Sequence, residues 1–373
     1  MSHYSILDST ATNICGAIVR NIAEKCLVVR PPQSIKPSVL ALSLGKKQVS
    51  GKLRPPREID FDWLSQLPWQ ADILSRIFGV WTMPSKSEPP VAIRAATSAD
   101  SAICGGICYE AFLKLSAKHG FPCDFPGPEA AAGVLSMLFS NPGFYCVVAE
   151  SGGRIVGSNC LDERSLIAGI GPITVDPRTQ NLGVGRKLMQ AVIDQARERR
   201  PAGMRLVQAA YHNRSLSLYT TLGFDAREPL SCVQGQPLYR NVPGCVVRPA
   251  RGNDLDACNA LSHRVHGFER GTELADAIQR KTASVVERGG RITGFATVLA
   301  FSGHATAETN LDMQSLIASA ESFGGPGILV PSRNSALLRW CLANGLQVVQ
   351  PMTLMSIGLY NEPVGAWLPS VLF

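Results

Sequence analysis

The sequence predicts a mixed α/β fold built twice in tandem. Three observations predict it. Apolar runs with hairpin spacing come first, and a strand–helix–strand unit follows them. A glycine-rich loop, Gln180-Asn-Leu-Gly-Val-Gly185, joins the strand and the helix of that unit. A set of short matches then recurs, in the same order, in the second half of the chain.

The first copy opens with a strand over 92–95 and a helix over 100–117. The longest uncharged run, between Glu129 and Glu150, is broken by Ser140-Asn-Pro-Gly143. It reads as a helix over 128–139, a turn and a strand over 144–150, not as a membrane span. Strands over 155–160 and 167–175 follow. Leu188, Met189, Val192, Ile193 and Ala196 recur at helical spacing and place a helix over 182–199. A strand over 204–211, a short helix over 214–222 and a last strand near Ser231 complete the copy. Tyr219 and Leu222 share one face of the short helix, and Gly223 suits the position just past its end.

A glycine-rich loop between a strand and a helix aims several backbone N–H groups in one direction, and the helix dipole adds partial positive charge there. It is a site for a phosphate-bearing ligand. It is not a P-loop, because Gly185 is followed by Arg186-Lys187-Leu188. Nor is it a dinucleotide fingerprint: only Gly183 and Gly185 have that spacing, and the next strand ends in Tyr211-His212-Asn213.

The spacing Gln-x-x-Gly-x-Gly after Val175-Asp-Pro resembles the acyl-CoA pyrophosphate loop of the GCN5-related N-acetyltransferase (GNAT) family. The later run, Asn213-Arg-Ser-Leu-Ser-Leu-Tyr219-Thr-Thr-Leu-Gly-Phe224, is similar to that family's second signature. One departure is visible: Asn213 stands six residues before Tyr219, and His212 holds the family's usual Asn position.

The resemblance implies a sheet in which two parallel strands splay apart to admit the pantetheine arm of acetyl-CoA. It implies contacts to that substrate from Thr174, Val175, Gln180, Asn181, Leu182, Gly183, Val184, Gly185, Arg186 and Asn213. It also implies direct attack of an amine on the thioester in a ternary complex. The Val175 N–H would steady the oxyanion and Tyr219 would reprotonate the thiolate, since a phenol is protonated at pH 7. Asp162 and Glu163, just before the strand that carries Val175, are candidate general bases, with Glu150 behind them. His212 reads more readily as a helix-capping residue than as a catalytic one. His119, expected in a loop, is a specificity candidate. The segment 119–129, with Phe121, Phe125 and Asp124, suggests a partly apolar acceptor pocket with one carboxylate.

At 373 residues and 45% apolar content the chain can bury two cores. The net charge is +7, but residues 1–57 hold nine Lys/Arg against Asp8 and Glu24, leaving 27 positive and 27 negative residues elsewhere. With no nucleic-acid motif, the charge does not point to RNA or DNA. The eleven cysteines lack ligand spacing, so no metal is expected. Their odd number and the lack of a secretory signal suggest reduced thiols in the cytoplasm.

Residues 1–88 show little periodicity and much proline. They read as a basic extension, with a short amphipathic stretch from Trp63 to Trp81 and Met83 as an alternative start. The catalytic copy is expected over 89–240, the second over 245–373, with the boundary near Asn241-Val-Pro-Gly244. Gly152-Gly-Arg-Ile-Val-Gly157 returns as Gly289-Gly-Arg-Ile-Thr-Gly294, Arg94…Asp100 as Arg248…Asp254, and Asn213…Tyr219…Gly223 as Asn334…Trp340…Gly345. The second copy lacks loop glycines in His304-Ala-Thr-Ala-Glu-Thr-Asn-Leu-Asp312 and has Trp340 in place of Tyr219. It is expected to fold, to bind no acyl-CoA, and to complete the acceptor cleft or cover the first copy. The leading expectation is an N-acetyltransferase for a small-molecule or protein amine. Alternatives are an acyl-CoA-binding sensor without turnover and a scaffold that binds nothing.

Overall fold

The computed structural model describes residues 90–180 and 182–372. The first copy runs β1 (Ala92–Ala95), α1 (Ser101–His119), α2 (Pro128–Ser140), β2 (Phe144–Ser151), β3 (Arg154–Asp162), β4 (Ile167–Ile170), β5 (Thr174–Val175), α3 (Val184–Arg199), β6 (Gly203–Ala209), α4 (Asn213–Thr221) and β7 (Asp225–Gln234). The second repeats the order with β8 (Val246–Pro249), α5 (Leu255–His266), α6 (Gly271–Gln279), β9 (Ser284–Arg288), β10 (Arg291–Ala296), β11 (Ala305–Ala307), α7 (Asn310–Ala318), β12 (Ile328–Pro331), α8 (Ser335–Ala343), β13 (Gln347–Gly358) and β14 (Ala366–Leu368). Asn181, residues 1–88, Met83 and the Trp63–Trp81 stretch lie outside the described residues.

The repeated residues do the same work in both copies. Gly152-Gly153 and Gly289-Gly290 have positive φ at both positions, as a two-residue hairpin turn of the primed type requires. They close β2–β3 and β9–β10. Arg94 holds Asp100 (2.8 Å) and Glu150 (2.8 Å), and Arg248 holds Asp254 (2.7 Å) and Glu287 (2.5 Å). Each arginine pins the turn before the first helix of its copy to the neighbouring strand. Gly157 and Gly294 sit where a Cβ would strike the next strand: Thr174 O at 2.5 Å in one copy, the Ala307 Cβ at 3.0 Å in the other.

Two departures from the expected elements have local causes. The strand expected over 167–175 is two strands, because Pro172 has no N–H to donate to a ladder. His119 is the last residue of α1, not a loop residue, and Gly120 at φ 72° ends that helix.

Helices cover both faces of the first-copy sheet. Leu188, Met189, Val192 and Ile193 of α3 bury one face with Val147, Val156 and Leu206. Cys104, Cys108, Leu135 and Leu138 of α1 and α2 bury the other with Val148 and Cys160. In the second copy Met313, Leu316 and Ile317 of α7 pack on Val286, Ala296 and Ala307.

The copies are not separate domains in space. The strand order is β1-β2-β3-β4-β6-β13-β7-β12, with β5 on β3, and the second sheet runs β14-β11-β10-β9-β8. Strand β13 of the second copy lies between β6 and β7 of the first, and β7 in turn pairs with β12. Each copy thus lends its long late strand to the other. The described residues of both copies accordingly form one compact unit, although β8 starts just after the repeat boundary expected at 241–244. Among the described residues no helix is long and apolar enough to cross a membrane.

Candidate functional site

Strands β4 and β6 run parallel through Ile167↔Gly203, Ala168↔Met204 and Gly169↔Arg205, and there the pairing stops. Beyond Pro172, β5 pairs only with β3, through Ser158↔Thr174 and Gly157↔Val175. The sheet therefore opens between β5 and the C-terminal half of β6. The Asp176 N–H turns back to the Val156 carbonyl at 2.8 Å. Because N–H direction alternates along an extended strand, the Val175 N–H faces the opening.

The opening ends on α3. Gly183 is the N-cap of that helix at φ 75°, a conformation natural to glycine, and among the described residues no side chain caps the first turn. The early N–H groups of α3 are thus left to an external acceptor, and the first turn carries Arg186 and Lys187 and no acid. A Cβ on Gly183 would meet nothing within 4 Å, so the loop backbone is open to approach. On Gly185 it would lie 3.6 Å from Leu218 and 3.7 Å from Val175, so β5, α3 and α4 converge there. Leu182 is exposed and Val184 is buried in the core. Arg214 of α4 donates to Gln180 at 3.0 Å and ties the loop to the second signature. Asn213 is exposed at the start of α4, beside the N-cap residue His212. Burial, then the charge of Arg214, pushes the His212 pKa down.

Tyr219 is buried at 6% exposure in the core that holds Val184 and Leu188, edge-on to Phe224. Burial pushes its pKa up, so the phenol stays protonated at neutral pH.

The expected bases are not brought to the opening. Asp162 pairs with Gly169, and Gly157 with Val175, so Asp162 stands five residues along β3 from the Val175 level. At ~3.3 Å per residue that is roughly 17 Å. Asp162 is held by Arg164 at 2.6 Å, and Arg164 reaches on to Asp276 of the second copy at 2.6 Å. Glu163 accepts from Gln195 at 3.1 Å and lies 3.4 Å from Arg199, at the far end of α3. Both acids serve a structural ion-pair seam, and Glu150 is taken by Arg94.

A different carboxylate lies in the segment expected to form the acceptor pocket. Asp124, in the loop between α1 and α2, accepts from Gln350 Nε2 at 2.9 Å. Gln350 lies on β13 and is 1% exposed. Its Oε1 accepts from the Tyr211 hydroxyl at 3.0 Å, just past the end of β6. Phe121 stacks on Tyr211 with ring centroids 4.3 Å apart. Burial pushes the Asp124 pKa up, while the Gln350 bond pulls it back. The sequence flagged Asp124 weakly and Gln350 not at all, because the two are 226 residues apart.

In the second copy the equivalent opening is closed. Gly294 pairs with Ala307 as Gly157 pairs with Val175, and the Glu308 N–H returns to Thr293 as Asp176 returns to Val156. The other edge of Ala307 is occupied by β14, in the register Ala305↔Leu368, Thr306↔Trp367 and Ala307↔Ala366. Thr309, not glycine, caps α7, and its hydroxyl accepts from the Asp312 N–H. A cavity of about 470 Å³ persists nearby, lined by Thr309, Asn310, Asn334, Arg333, Glu228 and Trp367. Its chemistry is not that of the first copy. Among the described residues no metal-ligand group occurs and nine cysteines are free thiols.

Residues 114–224 match the model of the acetyltransferase (GNAT) family. A crystal structure of a protein from Pyrococcus horikoshii assigned as an acetyltransferase is similar over 74% of this chain and 94% of its own, at 19% identity and a TM-score of 0.58. A GCN5-related N-acetyltransferase from Sphaerobacter thermophilus is similar over 73% of this chain and 96% of its own, at 17% identity and a TM-score of 0.51. Coverage of that extent exceeds either copy, so the likeness is to the doubled fold. A comparison with curated proteins found no match. The chain therefore carries a domain of the acetyltransferase (GNAT) family in its first copy, within a tandem GNAT fold.

Proposed function

We propose that the first copy is an acetyl-CoA-dependent N-acetyltransferase. The observation that carries this reading is the opening between β5 and β6, with the Val175 N–H on its wall and the uncapped N-terminus of α3 at its end. The α3 N–H groups, with Arg186, suit the pyrophosphate of acetyl-CoA. The extended edge of β5 suits the amide groups of the pantetheine arm. The Val175 N–H suits the oxygen that gains charge as an amine attacks the thioester. Tyr219, kept protonated by burial, suits proton delivery to the departing sulfur. The acceptor is a small-molecule or protein amine entering past Phe121 and Tyr211.

The test is turnover of acetyl-CoA with a panel of primary amines, run on the wild-type chain and on Tyr219→Phe. The expected result is acetylation by the wild type and a drop of about 10²-fold or more in kcat for the variant, with acetyl-CoA affinity within about threefold. Loss of acetyl-CoA affinity in the variant would assign Tyr219 to packing instead.

A further inference from the structure

We propose that Asp124 is the base that receives the proton of the acceptor ammonium, and that Gln350, delivered by β13 of the second copy, is the residue that positions it. This inference rests on the acetyltransferase reading above.

The placement comes from the neighbours of Asp124 on α1 and at the end of β6. On the β5 side, the Cys108 thiol of α1 neighbours the Thr174 hydroxyl and lies within electrostatic range of the Asp124 carboxyl. On the other, Asp124 is bonded through Gln350 to Tyr211 at the end of β6. Asp124 is therefore tied to the end of β6 and lies within electrostatic range of the α1 thiol that neighbours β5. Among the described residues its Oδ2 has no protein donor, whereas Asp162 and Glu150 are paired with arginines.

The network has one direction. Burial, then the nearby Asp124 charge, pushes the Tyr211 phenol up to about 12, so it remains a donor. A phenol donating to Gln350 Oε1 turns the amide NH₂ toward Asp124 Oδ1. That bond fixes the carboxylate and leaves Oδ2 turned to the acceptor. The titratable groups around Asp124 are Cys108 on α1, Cys123 in its own loop, Tyr211 after β6, Cys232 on β7 and His119, whose ring lies 5.3 Å from that of Tyr211; burial pushes Cys108, Tyr211 and Cys232 up, so those three are neutral at pH 7. Among the described residues no Lys or Arg forms an ion pair with Asp124. A desolvated carboxylate with a raised pKa is also a stronger base than one in water.

The protons balance. The ammonium gives its first proton to Asp124 Oδ2, which passes it to solvent. The freed lone pair attacks the thioester carbon, the C–N bond forms and the C–S bond breaks. Tyr219 protonates the leaving sulfur, and the second proton released as the amide forms restores the phenol. The second copy, closed to acyl-CoA by β14, thus acts in the first copy's reaction through one amide.

The experiment uses the full chain, with phenethylamine, putrescine and a lysine peptide as amine probes. Acetyl-CoA affinity is measured by calorimetry and kcat/KM across pH 5.5–9 for wild type, Asp124→Asn and Gln350→Met. Expected are unchanged acetyl-CoA affinity in all three, a loss of about 10²-fold or more in kcat/KM for Asp124→Asn, and an upward shift of the acid limb for Gln350→Met. The upward sign follows because the lost hydrogen bond had favoured the ionised carboxylate; a purely structural glutamine would lower the rate without moving the limb. Asp124→Asn with a wild-type rate and acid limb would overturn the assignment and leave the acetyltransferase reading standing. A wild-type chain that binds no acetyl-CoA, or binds it and acetylates no probe, would overturn the acetyltransferase reading and this assignment with it.

Discussion

Ala366 of β14 pairs with Ala307 of β11, on the edge that Val175 keeps open in the first copy. The chain's own strand takes the backbone edge that a pantetheine arm would need. The full chain is therefore expected to bind one acetyl-CoA, read as the stoichiometry of a calorimetric titration. Two equivalents would mean that β14 leaves its place.

Gly183 combines a left-handed backbone with an open approach. Gly183→Val forces a β-branched residue into that conformation, at a cost of about 1–2 kcal/mol, and places a side chain where a phosphate must come. Acetyl-CoA affinity is expected to fall at least tenfold while thermal melting moves by only a few degrees. Unchanged affinity would show that the loop meets no phosphate.

Strand β13 fills the space between β6 and β7, and Leu354 and Met355 are fully buried on it. Removing residues 245–373 would leave two long unpaired edges and bare apolar cores. The truncated chain is expected to aggregate, as seen by size-exclusion chromatography. Leu354→Ala is a milder probe and should cost about 2–5 kcal/mol in denaturant unfolding. A soluble, active fragment lacking 245–373 would contradict the exchange.

The second copy buries a pH-sensitive cluster. Burial, then the charge of Arg270, lowers the His304 pKa to about 4, and the same causes hold His266 well below its ordinary value. At pH 7 the 3.2 Å contact from His304 Nδ1 to Glu273 is thus a hydrogen bond from a neutral imidazole, not an ion pair. Burial alone would raise the Glu273 pKa, but Arg270 and His304 hold it well below the carboxylate range. All three depressed values act in one direction. Above an unfolded histidine pKa of ~6.5 their contribution to stability is complete. As pH falls toward 4 the unfolded chain binds protons that the folded one refuses. His304 alone then accounts for a loss of about 3 kcal/mol, and Glu273 extends the loss below the unfolded glutamate pKa. Melts from pH 7.5 to 4.5 should show the decline, and His304→Phe should flatten it. A wild-type curve without slope would contradict neutral burial.

The glycine loop, the doubled order of elements and the Arg94…Asp100 and Arg248…Asp254 turns were legible in the sequence because each is a local constraint. A hairpin of two positive-φ residues, a helix start without a capping side chain and an ion pair six residues long need only neighbouring chain. The surroundings of the two candidate bases were not legible in the same way. Asp162 and Glu163 lie close to Val175 in sequence, yet strand register carries them away and Arg164, Gln195 and Arg199 claim them.

What the sequence determined by itself is the set of elements and the open glycine loop at the start of α3, since periodicity and backbone freedom act over a few residues. Tertiary structure alone decided which strand pairs with which. A strand's alternation shows which face is buried but not which partner it takes. The placing of β13 beside β6, of β14 on β11, and of Gln350 against Asp124 therefore arises only when both copies fold as one unit.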